Sequence, residues 1–583
     1  MKKKNKGPVI ARISLKQFWN LVKSVRIPWV LLLVTIALSL INAKVSIWFP
    51  DYQRTYFEKG NLTSKTVTIG ILILILSGLT SMISTGVENY LRKDIDRRFR
   101  NRIWQKSLAL KVSSLRQFNP NELISRTTDD TQQLSDFMVT VTVTLLSAIY
   151  SVYINLALIA SYHKNLMYVQ LAVIPILLIL RIIEGEVNYR IQYQAQYRLS
   201  KFTEYMAEIL TNVPLIKSFV KEKYEGDRAS KVIDDYNNIH FKSSAIGLLF
   251  IVGDNILQIL VRVVGILYGG YLIKTGELDM ASWIAYFGLS GGLYFTINQI
   301  LQQWSILKGV QSAVARLVQI FELPEEDRKG QMPEDRVGDL NVHQAQLQLS
   351  GQVVLDDLSV TFAPKGKQVI VGPSGAGKSS LLNSLLRFHD LNEGSITLGG
   401  QDISTLDLLA YRQEFVYVPQ EPVLFSRSLR DNLCYGLKEA VKDDEILALC
   451  HRLCLDELLD RLPDGLDSLL AESGQNLSGG ERQKVAMVRA ILQLQEGHKH
   501  FLLLDEITAN LDPESEEKIS QVIDELSHDY AVIIVTHRMH LAKDAKQIVV
   551  LKEGRLCGMG QHQDLLSTCP IYQQLVWNTG KED

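Results

Sequence analysis

The sequence predicts two architectures in one chain: an all-α polytopic membrane domain of six helices with long cytosolic extensions, followed by an α/β domain built around a phosphate-binding loop. Three observations carry this. Six long apolar stretches occupy the first half. The string Gly-Pro-Ser-Gly-Ala-Gly-Lys-Ser stands at Gly372–Ser379. The apolar run Phe501–Leu504 leads directly into two carboxylates, Asp505 and Glu506.

A chain of 583 residues is too long for one ordinary domain. Its formal net charge of −1 offers no global attraction to nucleic acid, which is not expected as a partner. The cysteines Cys434, Cys450, Cys454, Cys557 and Cys569 all lie in the second half. That fits a reducing cytosol and argues against a secreted disulfide framework. Cys450 and Cys454 are one helical turn apart with no paired ligands nearby, and read as structural thiols. The first apolar run begins near Trp29, behind the basic leader Met1–Lys6. It is too long for a signal core and lacks a small-residue cleavage site, so a retained first span is expected.

A helix needs about 20 apolar residues to cross the ~30 Å hydrocarbon core. Trp29–Trp48, Val67–Val87, Phe137–Ser161, Leu166–Ile183, Ala245–Ile273 and Ala281–Leu307 meet or approach this length. The connections after the first, third and fifth runs are short. Those after the second and fourth run for tens of residues and are charged, as in Arg92–Arg102 and Arg190–Lys242. Excess Lys and Arg mark the cytosolic side. Both termini, both long connections and the soluble half are therefore expected in the cytoplasm, in a multi-pass protein of the cell membrane. The membrane helices are expected to continue into the cytosol and turn at their tips. Glu322–Pro333 is polar, carries two prolines and reads as a linker. The expected division is residues 1–322 for the membrane domain, 323–340 for the linker and 341–583 for the soluble domain.

In the soluble half, Val369–Val371, Phe501–Leu504 and Ala531–Val535 read as buried strands and Ser379–Arg387 as a helix. Gly372, Gly375 and Gly377 let the backbone curl and aim N–H groups at phosphate oxygens. Pro373, Ser374, Ala376 and Ser380 complete the cradle, and the helix start adds its positive end. Lys378 is expected on the β- and γ-phosphates and Ser379 on Mg²⁺. The expected nucleotide is ATP with Mg²⁺. Asp505 is expected as the metal-linked carboxylate, and Glu506 to point at an attacking water. His537 follows the apolar run Val532–Thr536, at a strand's carboxyl end where ligands bind; it is expected to hydrogen-bond the γ-phosphate. Gln420, in Val416-Tyr-Val-Pro-Gln420, occupies a similar place, to touch both Mg²⁺ and a moving element. The expected metal set is thus Ser379, Gln420 and Asp505. The expected catalytic set is Glu506, His537, Lys378 and Gln420.

Together these residues resemble the ATP-binding cassette (ABC) superfamily. Gly372–Ser379 is similar to Walker A and Phe501–Glu506 to Walker B. Leu477–Glu481, Leu-Ser-Gly-Gly-Glu, resembles the signature that separates this family from other phosphate-loop ATPases. Gln420 resembles the Q-loop, Ala509-Asn-Leu-Asp512 the D-loop and His537 the switch histidine. The membrane half resembles the six-span exporter type. Phe118–Arg126 with Thr128–Asp130 looks like the segment beside a first coupling helix, and Glu208–Phe219 like a second coupling region.

The resemblance implies an α/β P-loop ATPase domain and half a transporter, completed by a second half-transporter chain. It implies ATP held between Walker A of one cassette and the signature of the other, with Ser478 and Gly480 on the partner's γ-phosphate. It further implies ATP-driven export of an amphipathic substrate (drug, lipid or peptide) by alternating access across the bilayer. An importer of siderophore-like substrates on the same scaffold, or one half of a heterodimer, are the alternatives. Intact Glu506 and Leu477–Glu481 favour a homodimer. Six spans and one cassette exclude a cytosolic ABC protein of translation or repair.

One departure stands out. Where the family places an aromatic against adenine, this chain has Leu349; Phe362 is better explained by core packing. In the membrane half, Asp254, Gln258 and Arg262 fall on one face of the fifth span, where they either pair with neighbours or line a polar cavity. Tyr286, Tyr294 and Asn298 of the sixth span are expected on the same cavity. Segments near Ser114–Asn119 and Asn212–Ser218 are expected as short turns docked on cassette surfaces near Gln420.

Overall fold

The structure is a computed structural model describing residues 14–59, 63–349, 351–508 and 511–579. It divides into two units, Met1–Leu108 with Phe118–Leu323, and Ala109–Gln117 with Pro324–Asp583.

The first unit is helical. Its helices, with one that falls in the second unit, are α1 (Leu15–Lys23), α2 (Trp29–Ser46), α3 (Trp48–Lys59), α4 (Ser64–Ala109), α5 (Val112–Leu115, in the second unit), α6 (Pro120–Ser125), α7 (Thr131–Val139), α8 (Leu145–Tyr162), α9 (Lys164–Thr211), α10 (Val213–Ser218), α11 (Glu222–Thr275) and α12 (Met280–Glu322). π-Helical turns at Arg126–Asp130 and Thr140–Thr144 join α6, α7 and α8 into one rod. Among the described residues, Trp29–Tyr56, Ser64–Ala109, Pro120–Tyr162, Lys164–Glu184 and Glu222–Thr275 are long and apolar enough to cross a membrane. The sixth apolar run lies on α12. Helices α4, α9 and α11 have 46, 48 and 54 residues, about twice the membrane requirement or more, so the charged connections are helical continuations of the spans. Local chemistry marks the ends. The Asp279 carboxylate accepts the Ser282 N–H at the start of α12, and Gly276, at φ 77°, closes α11 in the left-handed conformation.

Polar contacts fasten these helices where hydrophobic attraction between them is weak. The Gln170 amide donates to the Tyr286 hydroxyl at 2.8 Å and to Ser290 Oγ at 2.6 Å. Tyr286 is 1% exposed, and Gly265 leaves room for its ring. Tyr294 is also buried and donates to the Asp254 carbonyl at 3.0 Å. Both tyrosines therefore pack helix on helix rather than line a cavity, which corrects the sequence expectation. Asn298, Asp254 and Gln258 are half-buried and Arg262 is exposed. At the first π-turn, Arg316 grips the buried Asp130 with two hydrogen bonds, at 2.8 and 2.6 Å, a bidentate geometry that favours arginine.

The second unit is a layered α/β domain. Its strands are β1 (Leu340–Leu349), β2 (Gln352–Phe362), β3 (Gly366–Val371), β4 (Glu393–Leu398), β5 (Gln401–Asp402), β6 (Phe415–Val418), β7 (Phe501–Asp505), β8 (Ala531–Val535), β9 (Gln547–Lys552) and β10 (Arg555–Gly560). An antiparallel sheet runs β2-β1-β4-β5 and a mixed sheet runs β10-β9-β3-β8-β7-β6. In the mixed sheet β9, β3, β8, β7 and β6 are parallel. Their near-continuous Val, Ile and Leu content follows from burial on both faces. Helix α13 (Lys378–Leu385) follows β3 directly. It stops short of the expected Arg387, which takes a left-handed φ of 53°.

The short helix α5 belongs to this unit. Leu110 bridges to Glu325, Lys111 pairs with Asp390 at 2.6 Å, and Arg116 Nη1 lies 3.2 Å from His389 Nε2. Helix α5 thus packs on the residues after α13. Helix α10 lies in the first unit with Leu215 exposed.

Candidate functional site

Strand order builds the site. β8 lies between β3 and β7, and β6 flanks β7 on the far side. The carboxyl ends of these four strands therefore deliver the phosphate loop, His537, the two acids and Gln420 in one row, as expected for a ligand crevice. Gly375 and Gly377 take φ of 79° and 94°, which L side chains avoid. A Cβ on Gly377 would meet the Val354 carbonyl oxygen at 2.7 Å. The loop is thus tight as well as left-handed.

Lys378 is 5% exposed and turns back over the loop. Its Nζ donates to the carbonyls of Gly372 at 2.9 Å and Pro373 at 3.1 Å, and lies 3.2 Å from His537 Nε2. Burial pushes its pKa down, while Glu506 and Asp505 push it up. Ser379 Oγ donates to Asp505 Oδ1 at 3.1 Å. Asp505 is 3% exposed, and burial raises its carboxyl above the usual range. A buried carboxylate beside a serine hydroxyl is a hard-oxygen set that a small divalent cation would stabilise.

Glu506 is held from both sides. Gln420 Nε2 donates to its Oε2 at 2.7 Å, and His537 Nε2 lies 3.0 Å from its Oε1. Its φ of 51° is unusual for a non-glycine residue, and its N–H donates to the Val535 carbonyl at 2.9 Å. The backbone thus kinks immediately after β7, separating the side chains of Asp505 and Glu506. The structure brings Lys378 to His537, Ser379 to Asp505 and Gln420 to Glu506. Pro373, Ser374, Ala376 and Ser380 lie in or next to the turn between β3 and α13, as expected.

The signature residues sit elsewhere on the unit. Ser478 N-caps the helix Gly479–Gln495 in a capping box with Glu481, at 3.2 and 2.7 Å. Ser478 is exposed, and Gly480 lies in the first turn of that helix. Of the D-loop string, Ala509 and Asn510 lie outside the described residues. Asp512 caps the helix Pro513–Asp529, and its hydrogen bonds from Ser515 lower its pKa to about 2. Leu349 ends β1, paired with Gln352, and packs half-buried on the core. Phe362 is fully buried in that core. Cys450 is buried and Cys454 half-buried, both as free thiols. Among the described residues no cluster of three or more His, Cys, Asp or Glu could hold a metal.

Sequence reasoning missed Tyr417. Its pKa is pushed up to about 12, first by burial and then by the charge of Asp505. The signal available was its place in the string Val416–Gln420. Only the pairing of β6 with β7 shows what it reaches.

A phosphate loop, a strand bearing two carboxylates and a capped signature helix, on an α/β unit attached to membrane-length helices, define an ATP-hydrolysing membrane transporter. Residues 29–297 match the ABC transporter transmembrane region and residues 355–509 match the ABC transporter family. The chain is similar to an ATP-dependent lipid A-core flippase of Acinetobacter baylyi, at 31% identity over 66% of this chain and 67% of that protein. It is also similar to a multidrug resistance ABC transporter ATP-binding and permease protein of Lactococcus lactis, at 24% identity over 98% of this chain and 97% of that one. Its fold matches that of a bacterial Atm1-family ABC exporter solved with ATP bound, with a TM-score of 0.78 at 21% identity, covering 94% of this chain and 98% of the other. The chain belongs to the ABC transporter family, with one transmembrane domain and one nucleotide-binding domain, and is a multi-pass membrane protein.

Proposed function

We propose that this chain is half of an exporter that hydrolyses ATP between two cassettes to move an amphipathic molecule across the bilayer. The observation that carries the proposal is Glu506, gripped by Gln420 and His537 one residue beyond the Asp505–Ser379 pair. A carboxylate fixed there is poised to polarise a water, and its left-handed backbone keeps it apart from the metal-side acid. Lys378 and the loop N–H groups bind the β- and γ-phosphates. His537, between Lys378 and Glu506, is placed to sense the γ-phosphate. Ser379 and Asp505, with Gln420 nearby, would hold Mg²⁺, which when bound would neutralise phosphate charge.

The capped but exposed Ser478, with Gly480, is available to a second chain's nucleotide. A homodimer with two working sites is the favoured assembly. In this reading residues 1–322 form the membrane domain and residues 341–583 a cytoplasmic cassette, joined by 323–340. ATP closes the cassettes, and the cytosolic tips pass that motion to the spans as a shift between inward- and outward-open populations. The lipid and drug transporters among the relatives support an amphipathic cargo. The test is transport in inside-out vesicles alongside an ATPase screen with candidate ligands. ATP-driven uptake of the ligand that stimulates hydrolysis supports export. ATP-driven release instead means import on the same scaffold.

A further inference from the structure

A buried acid lies behind the segment that carries His537. β8 is apolar and buried throughout, and the chain leaves it for the short helix Met539–Lys543 within a few residues. His537 stands on that connection, between two anchored neighbours. Thr536 is buried; its N–H donates to the Ile370 carbonyl at 3.3 Å, and its hydroxyl accepts the Arg538 N–H at 2.9 Å. The Arg538 side chain reaches Glu516, in the first turn of the helix Pro513–Asp529, where Nη1 donates to Oε2 at 2.8 Å. Its Nη2 lies 3.5 Å from the Thr508 carbonyl oxygen, two residues after Glu506. His540 Nε2 lies 3.1 Å from the other oxygen of Glu516, without hydrogen-bond alignment. Glu516 is 8% exposed, whereas the Arg538 and His540 side chains are 40% and 48% exposed.

We propose that Glu516 is the positioning residue for His537, clasping Arg538 and His540 so that the histidine stays at the phosphate end of the sheet. The inference rests on the assignment of His537 to the γ-phosphate. The helix dipole favours an acid in a first turn without any partner. Glu514, exposed in the same turn and paired with Lys518, fits that account. It does not explain why Glu516 is buried under two basic side chains of one segment, since a buried carboxylate costs free energy that only close partners offset. The side-chain contacts of His537 do not fix it either. Its Nε2 lies 3.2 Å from Lys378 Nζ and 3.0 Å from Glu506 Oε1. Both of those residues are assigned to the nucleotide, one to its phosphates and one to water. The place of His537 then depends on its backbone, and the clasp holds that backbone from the next residue. Through Thr508 the same arginine also meets the segment that follows Glu506.

The test uses the full-length protein in lipid. Glu516→Leu fills the buried space and leaves Arg538 and His540 to water. It is compared with His537→Ala and with the double variant, by single-turnover hydrolysis, ATP affinity and melting. Glu516→Leu should slow hydrolysis about tenfold, the scale of one lost hydrogen bond to a charged group, with ATP affinity and melting unchanged. Because it acts through the histidine, adding it to His537→Ala should slow hydrolysis by less than about twofold more. Arg538→Gln opens the same clasp from its exposed side. It should show the same loss, and it decides the matter where Glu516→Leu does not fold. Three results overturn the proposal. These are parent-rate hydrolysis in both clasp variants, a full further loss in the double variant, and a loss of ATP affinity that matches the lost rate. The His537→Ala arm separates the two readings. If it hydrolyses ATP at the parent rate, the assignment of His537 itself fails. If it is slow while the clasp variants are not, only the role of Glu516 fails.

Discussion

The phosphate-side residues of the nucleotide unit are held by one another, whereas the membrane unit turns apolar surface outward. In the former, Phe501–Leu504 and Ala531–Val535 are fully buried, and the main site side chains have partners within the chain. In the latter, α4 and α11 turn large apolar side chains outward: Leu72 is 58% exposed, Met82 75%, Leu249 70% and Leu267 70%. Such area is unfavourable in water by about 25 cal/mol per Å². It is the expected surface for acyl chains or a second copy. The difference teaches where damage should show. Changes in the first kind of region act on chemistry, and changes in the second act on coupling.

Ordered by effect on nucleotide chemistry, the strongest change is Glu506→Gln. It should bind ATP normally and hydrolyse it at least ~10²-fold more slowly, the scale of a lost general base. Retained radiolabelled ATP and released phosphate measure both; near-normal turnover removes Glu506 from the role. Next comes Lys378→Ala, which loses charge-assisted bonds to phosphate. Its nucleotide affinity should fall roughly tenfold or more, read by equilibrium binding.

Leu215→Asp sharpens the comparison from the other side. The residue is exposed on α10. Hydrolysis should change by less than about twofold and melting should hold, as for surface changes generally, while vesicle transport stops. Loss of expression and melting temperature would instead assign Leu215 to packing inside the membrane unit.

The smallest effect concerns pH. Burial, then the Arg116 charge, lowers the His389 pKa, with Asp390 opposing. Below about pH 6.5, the ordinary histidine value, the unfolded chain takes up this proton before the folded one. Stability therefore falls as pH falls from that value toward the lowered one. Melting between pH 7.5 and 5.5 should show the drop in the parent and a shallower one in His389→Asn. Equal slopes would mean that the contact with Arg116 carries no pH dependence.

The two regions were also unequally legible in sequence. The phosphate loop could be read because its chemistry needs glycines, a lysine and a serine at fixed local spacing. The acids could be read because a buried strand announces its end. The hold of Gln420 on Glu506 could not be read, since it depends on β6 lying beside β7, a non-local fact. The left-handed φ of Glu506 had no local signal either, because glutamate does not advertise it. The spans were found by length and hydropathy, but neither says which face packs. Tyr286 thus looked like a cavity residue until Gln170 and Gly265 were seen against it. The contacts of Lys111 and Arg116 with Asp390 and His389 likewise had no local signal in the sequence.

The central claim is that each working site takes its loop from one chain and its signature from another. It is tested most directly by mixing. Lys378→Ala chains keep the signature, and Ser478→Arg chains keep the loop. Each is purified alone, and the two are also co-assembled in lipid. The account predicts that neither hydrolyses ATP alone and that the mixture regains hydrolysis, since mixed dimers contain one intact composite site. A mixture as inactive as its parts, or a Ser478→Arg protein that hydrolyses ATP at the parent rate, would contradict it.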